Sequence, residues 1–269
     1  MQEFSFEVAY ETGKLGEVTY SFGDTKKEFP LASVTKLFTT YLTLIQVNKN
    51  LLTLEDRLLP NNATVADLLA HTSGLAFDKY EFIHNLREYR QYSNIGMEII
   101  GEYLTDITGI EYEELLIKEI VEPLDLDCFV FKDEKKPSKD GWATLKDLRK
   151  FAQELLNPTL IPRKLLEKAC TQYLFLPGIY LNTMLEIDDH AWGLGFELKG
   201  SKTNHWMGNL SSKRSFGHFG SAGSYLFIDL DKQTYNIFLG EKKYNIEHRQ
   251  KWNKLNDELS AKHNISNEN

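Results

Sequence analysis

The chain has 269 residues, 42% of them hydrophobic and 12% aromatic, which is enough to bury a large core in one domain or two closely packed ones. Its 39 acidic side chains outweigh 31 basic ones, and the formal net charge of -8 excludes the basic footprint that a nucleic-acid backbone requires. Cys128 and Cys170 fit no metal-ligand or redox spacing and read as thiols of a reducing compartment, with a disulfide between them as the alternative. No segment reaches transmembrane length, and the start "MQEFSFEVAYETG" lacks the basic and apolar parts of an export signal. The expectation is a cytoplasmic chain with no membrane segment, or an exported one if a leader was removed.

Residues 4–22 alternate in two bursts, "FSFEVAY" and "GEVTYSF", separated by "ETGKLG", the pattern of a hairpin with glycine in its turn. A helix follows from Ser33 to about Asn48. Val34, Leu37, Phe38, Tyr41, Leu42 and Ile45 hold its apolar face, and further apolar residues around it predict burial on most sides.

Residues 64–173 carry a series of helix signals. Thr64 caps "VADLLAH", Ser93 caps "NIGMEIIGEYLTDIT" before Gly109, and Thr144 with Asp147 begins "LKDLRKFAQELL" in the manner of a capping box. Between the last two, "EYEELLIKEIV" stops at Pro123. After residue 191 the period returns to two in "WGLGFEL", "SYLFIDL" and "TYNIFLGE", and residues 247–263 place Trp252, Leu255 and Leu259 on one face of a closing helix. Strands at both ends with helices between them predict an α+β fold, in which both termini build one antiparallel sheet covered by helices. We expect a single domain over 1–269, with a sheet part of about 1–60 plus 191–269 and an inserted all-helical part of about 61–190.

Chemistry is concentrated in three short runs. Ser33 and Lys36 form S-x-x-K, and on a helix these positions share a face, so the Lys36 amine can reach back to the Ser33 hydroxyl near the positive end of the helix dipole. The competing reading makes Ser33 an N-cap and lets Lys36 snorkel to water. "YSN" at 92–94 opens the second long helix, and "GHFGSAGSYLFIDL" at 217–230 leads into a sheet strand.

In this order the three runs resemble the S-x-x-K, Y-x-N and K/H-x-G motifs of the penicillin-recognising serine hydrolases, in the branch of class C β-lactamases, D-Ala-D-Ala carboxypeptidases and related esterases. "FPLASVTKLFT", "LLTLEDRL", "TVADLLAHTSGL", "VEPLDLD", "GWATLKDLRKFA" and "WGLGFE" are similar to recurring segments of that family, so the resemblance spans nearly the whole chain. It implies a β-lactamase/transpeptidase-like fold and a serine hydrolase without metal or cofactor, acting on a small-molecule or peptide substrate. Ser33 is then the nucleophile. Lys36 holds Ser33 and Tyr92 in a hydrogen-bonded cluster, and its charge is expected to lower the Tyr92 pKa, so that Tyr92 serves as base and later as acid. Asn94 accepts from Lys36 and donates to a substrate carbonyl, or merely begins its helix. His218 lies close to the Tyr92 hydroxyl, Gly220 lets substrate lie along the strand edge, and the backbone N–H groups of Ser33 and Ser221 form the oxyanion hole. His71, at a helix end, reads as structural. A second Y-x-N, "YLN" at 180–182, precedes no helix and is left out of the site.

Two departures bear on substrate. Phe219 stands where the third motif usually has threonine or serine, which removes a donor for a substrate carboxylate and either adds an apolar wall or points into the sheet. Arg87 and Arg90, in "NLREYRQYSN", either supply anion recognition or belong to a solvated charged face. The expectation is therefore a serine hydrolase of ester, amide or peptide carbonyls, of esterase or D-amino-acid peptidase type and penicillin-binding as a further option, with the balance shifted toward an esterase or an amidase acting on an uncharged acyl group. The alternatives are a class C-like β-lactamase, a penicillin or cell-wall-fragment sensor, and a scaffold whose pocket is plugged by Phe219 or Tyr225.

Overall fold

The computed structural model describes residues 2–180 and 184–265, apart from the side chains of residues 180, 264 and 265, so the second Y-x-N run lies outside the described residues. In chain order the strands are β1 (Val8–Lys14), β2 (Glu17–Phe22), β3 (Phe29–Pro30), β4 (Val130–Phe131), β5 (Gly141–Ala143), β6 (Gly178–Tyr180), β7 (Leu185–Ile187), β8 (Glu197–Leu198), β9 (Ser215–Gly220), β10 (Ser224–Asp229) and β11 (Thr234–Gly240). The helices are α1 (Thr35–Asn48), α2 (Val65–Leu69), α3 (Asn94–Thr108), α4 (Tyr112–Leu116), α5 (Leu145–Leu156), α6 (Arg163–Ala169) and α7 (Ile246–Ile265).

Both ends of the chain build one six-stranded sheet in the order β2-β1-β11-β10-β9-β8, with every pairing antiparallel. The opening hairpin is tighter than its sequence suggests. β1 continues through Glu11 to Lys14, and the chain reverses at Leu15 and Gly16, whose φ of 73° suits glycine. Glu11 is held in the strand because its buried carboxylate is already satisfied, accepting from Arg149 Nε at 2.6 Å and Tyr235 OH at 2.7 Å.

The sheet is covered on both faces. On one side Trp252, Leu255 and Leu259 of α7 pack with Tyr10, Tyr225, Phe227 and Phe238. On the other, Ala9, Leu226, Ile228, Ile237 and Leu239 share a continuous core with α1, α5 and the helices beyond. α1 is buried from Thr35 to Gln46. Hydroxyls survive there because Thr39 donates to Pro137 O at 2.6 Å and Thr43 to Thr39 O at 2.8 Å.

The cap signals act as read. Thr64 and Asp67 close a capping box on α2, Thr144 and Asp147 close another on α5, and Ser93 Oγ accepts from Gly96 N to start α3, which ends at left-handed Gly109. Three features differ from expectation. "WGLGFEL" yields only the short β8, because Gly195, at a φ of 76°, turns the chain where a side chain would strike Thr40. Small sheets β3-β5-β4 and β6-β7 interrupt the helical stretch. Both cysteines are free and partly exposed, so the disulfide alternative is excluded. Among the described residues no helix is long and apolar enough to cross a membrane.

Candidate active site

Ser33 sits in a single turn of 3₁₀ helix, Ala32–Val34, immediately before α1. No side chain caps either helix start, so Ser33 is not spent as an N-cap. Ala32 is held at a φ of 45°, a left-handed conformation that costs a non-glycine residue roughly 1–2 kcal/mol. Strain of this kind persists only where the surroundings over-determine it. Here the surroundings include β9. A Cβ on Gly220 would lie 2.1 Å from Leu31 O and 3.1 Å from Ser33 N, so the missing side chain of Gly220 lets the end of β9 rest on the serine turn itself. That corrects its expected role: the space beside Gly220 is filled by protein. The strand edge remains available in another sense, since β8 pairs only with Phe216 and Gly217 and β9 runs past its end from His218 to Gly220. Ser221 follows at once, exposed, in the turn to β10.

One turn along, Lys36 is fully buried and its amine contacts three oxygens: Asn94 Oδ1 at 2.6 Å, the Ser138 carbonyl at 2.8 Å and Ser33 Oγ at 3.2 Å. It does not snorkel. Burial pushes its pKa down to about 7, while the charges of Glu98 and Asp78 oppose that fall and Lys139 adds to it. The Asn94 oxygen and the Ser138 carbonyl take two N–H groups. A neutral amine then has its lone pair left for the Ser33 hydroxyl.

Tyr92 lies over this amine by its ring face, 4.9 Å from Nζ, and its hydroxyl meets His218 Nε2 at 3.2 Å. The His218 tautomer follows from its other nitrogen: Nδ1 faces the Phe219 carbonyl at 2.6 Å and must donate, so Nε2 accepts from the Tyr92 hydroxyl. Burial, then the Lys36 charge, pushes the His218 pKa down to about 3, so its imidazole is neutral. The expected lowering of the Tyr92 pKa is not found. Burial among His71, Phe77, Trp192 and His218 drives its phenol well above the ordinary range, and the lowering influence of the neighbouring Ser33 hydroxyl does not offset it. The group poised near neutrality is Lys36.

Asn94 begins α3, but Ser93 supplies the cap, which frees the Asn94 side chain for the site. Its Oδ1 accepts from Lys36 as expected, and one hydrogen of its Nδ2 goes to Asp78 Oδ1 at 2.7 Å. His71 accepts from Ser93 N at 3.3 Å, in keeping with a structural role at the end of α2.

Neither arginine is free to meet an anion. Arg87 is engaged in a two-point pair with Asp67 at 2.8 and 2.9 Å. Arg90 is buried and donates to the carbonyls of His190, Ala70, Tyr173 and Leu174. Phe219 points away from Ser33 into the layer under α7, with ring centroids 5.3 Å from Tyr244 and 5.6 Å from Trp206, and Tyr225 lies in the same layer. Neither ring plugs the site. Sequence reasoning passed over Ser138 and Asp78: the first acts through a backbone carbonyl, which leaves no side-chain signature, and the second is one acid in an exposed loop.

Comparison with known proteins bears on the family and the fold. The Beta-lactamase family profile matches residues 24–261. No curated protein matches the chain. Among solved structures, a β-lactamase from Mycobacterium bovis superposes with a TM-score of 0.91 at 29% identity, covering 95% of this chain and 94% of that one. A hydrolase with promiscuous acyltransferase activity (TM-score 0.75, 11% identity, 94% and 93% coverage) and a mutant class C β-lactamase (0.74, 16%, 95% and 92%) share the fold. The architecture is thus the β-lactamase/transpeptidase-like serine-hydrolase fold that the motif order implied, and the chain belongs to the Beta-lactamase family.

Proposed function

We propose that this protein is a serine hydrolase that forms an acyl-enzyme at Ser33 and acts on ester or amide carbonyls carrying an uncharged acyl group. The observation that carries the reading is the buried Lys36 amine, which has two acceptors for its hydrogens and Ser33 Oγ as its third neighbour. Ser33 Oγ attacks the carbonyl carbon as its proton passes to the neutral Lys36 amine. The oxyanion is received by the backbone N–H groups of Ser33 and Ser221, an arrangement in which losing one donor costs about 3 kcal/mol. As the tetrahedral intermediate collapses, the leaving group takes a proton from the Tyr92 hydroxyl, which Lys36 resupplies. Water then repeats the sequence to release the acid. The raised Tyr92 pKa keeps the phenol protonated at rest and disfavours a resting phenolate as the base.

The preference for uncharged acyl groups is supported by Phe219, which offers no hydroxyl to the cleft, and by Arg87 and Arg90, both engaged elsewhere. A panel of p-nitrophenyl esters, nitrocefin and D-Ala-D-Ala peptides, each run against wild type and Ser33→Ala, tests this. Ester turnover that vanishes in Ser33→Ala and exceeds turnover of the two anionic classes is the expected result. Faster cleavage of nitrocefin or the D-Ala-D-Ala peptide than of any ester would contradict the acyl preference. Equal ester turnover in Ser33→Ala would contradict the nucleophile.

A further inference from the structure

We propose that Asp78 is a positioning residue that fixes the orientation of the Asn94 amide and so leaves the Lys36 lone pair to Ser33. The proposal rests on the acyl-enzyme reading above. A side-chain amide can sit two ways that exchange its oxygen and nitrogen in space. With Oδ1 toward Lys36 at 2.6 Å, the amide takes one amine hydrogen. In the flipped orientation Nδ2 would aim its hydrogens at Lys36, whose only acceptor is the lone pair that Ser33 needs. The Ser138 carbonyl could not compensate, because it is itself an acceptor.

Asp78 decides between the two. Its Oδ1 accepts from Asn94 Nδ2 at 2.7 Å, and a carboxylate has no hydrogen to offer a flipped Oδ1. The preceding residue secures the same side of the site: Phe77 O accepts from the Asn94 backbone N–H at 2.7 Å, and the Phe77 ring stacks on Tyr92 with centroids 5.9 Å apart. This short exposed loop therefore grips Asn94 by backbone and side chain. An asparagine at 78 could accept the same bond through its own oxygen but could also present its NH₂, so it would permit the working orientation without enforcing it. Alanine would do neither.

The charge of Asp78 gives a readout that a purely structural role would not move. The charged and titratable groups around Lys36 are Asp78, Glu98 and Lys139, with His71, Tyr92 and His218 on the remaining sides. Removing the negative charge of Asp78 disfavours the Lys36 ammonium, so the acid limb of the acylation profile should move to lower pH.

The test measures acylation of Ser33 by a fluorophosphonate probe against pH in wild type, Asp78→Ala and Asp78→Asn, together with the NMR titration of the Lys36 ¹³Cε resonance, assigned by its loss in Lys36→Met. Asp78→Ala should slow acylation on the order of ten- to a hundredfold, as small misplacements of a reacting group do, and Asp78→Asn by less. Both should lower the Lys36 midpoint by at least about half a unit. Folded variants with the wild-type rate and midpoint would overturn the proposal. If wild type takes up no probe, the acyl-enzyme reading fails, and the proposal is then decided by the titration: a lowered midpoint upholds the coupling of Asp78 to Lys36, and an unchanged one overturns it. If Asp78→Ala does not fold, the near-isosteric Asp78→Asn carries both measurements.

Discussion

Lys36 is a basic residue made usable by burial. In water its amine would be protonated at neutral pH and could only donate to Ser33. Enclosed by Asn94, Ser138 and the Tyr92 ring, it is pushed down to about 7, so a substantial fraction is neutral at physiological pH. A shift of that size corresponds to roughly 5 kcal/mol of preference for the neutral form. The sign for folding is unfavourable: with a folded pKa below the unfolded one, Lys36 withdraws stability as pH falls from its ordinary value toward 7. For chemistry the same shift is favourable. The expected pH profile of ester kcat/KM rises through about 7 as Lys36 loses its proton, and Tyr92→Phe should lower the plateau while leaving that limb in place. A limb that disappears in Tyr92→Phe would make the phenol the base after all. The phenol's environment was not legible in the sequence, because His71, Trp192 and His218 reach Tyr92 from three distant parts of the chain. A motif names a tyrosine but does not state what buries it.

The decisive element contact is the end of β9 against the turn that carries Ser33. Gly220→Ala would introduce a Cβ into the Leu31 carbonyl, backbone that cannot swing aside as a side chain could. The turn must shift, and the expected outcome is a loss of Ser33 acylation on the order of a hundredfold, since displacements near 1 Å reach that scale. Stopped-flow acylation with the fold checked by near-ultraviolet circular dichroism measures it; a rate within threefold of wild type would mean that the strand does not hold the nucleophile. Element starts were readable in the sequence, because a cap is local chemistry: Thr64 with Asp67, Ser93, and Thr144 with Asp147 each act within one turn. Long-range placements were not. Arg90 looks like a surface charge in "NLREYRQYSN", yet four carbonyls from residues 70, 173, 174 and 190 converge on it. Glu11, within the predicted turn, is instead a buried partner of Arg149 and Tyr235.

Across the whole molecule, the sheet built from both termini separates two tasks. Its α7 face buries aromatic side chains, Phe219 among them, and has no part in the site. The opposite face meets α1 and presents His218 to Tyr92. Alternation along β9 makes the division, since consecutive residues His218 and Phe219 point to opposite faces. The same period explains why the phenylalanine of the third motif packs under α7, on the face away from His218. Motif order was enough to indicate this architecture, because Ser33, Tyr92 and His218 converge only if the termini share a sheet and the helices between them fold back onto it. Whether this convergence makes Ser33 a nucleophile is decided by the intact-protein mass after exposure to a fluorophosphonate probe, followed by peptide mapping. The expected result is one adduct, mapped to Ser33 and absent from folded Ser33→Ala. An adduct on another residue, or equal labelling of Ser33→Ala, would contradict it.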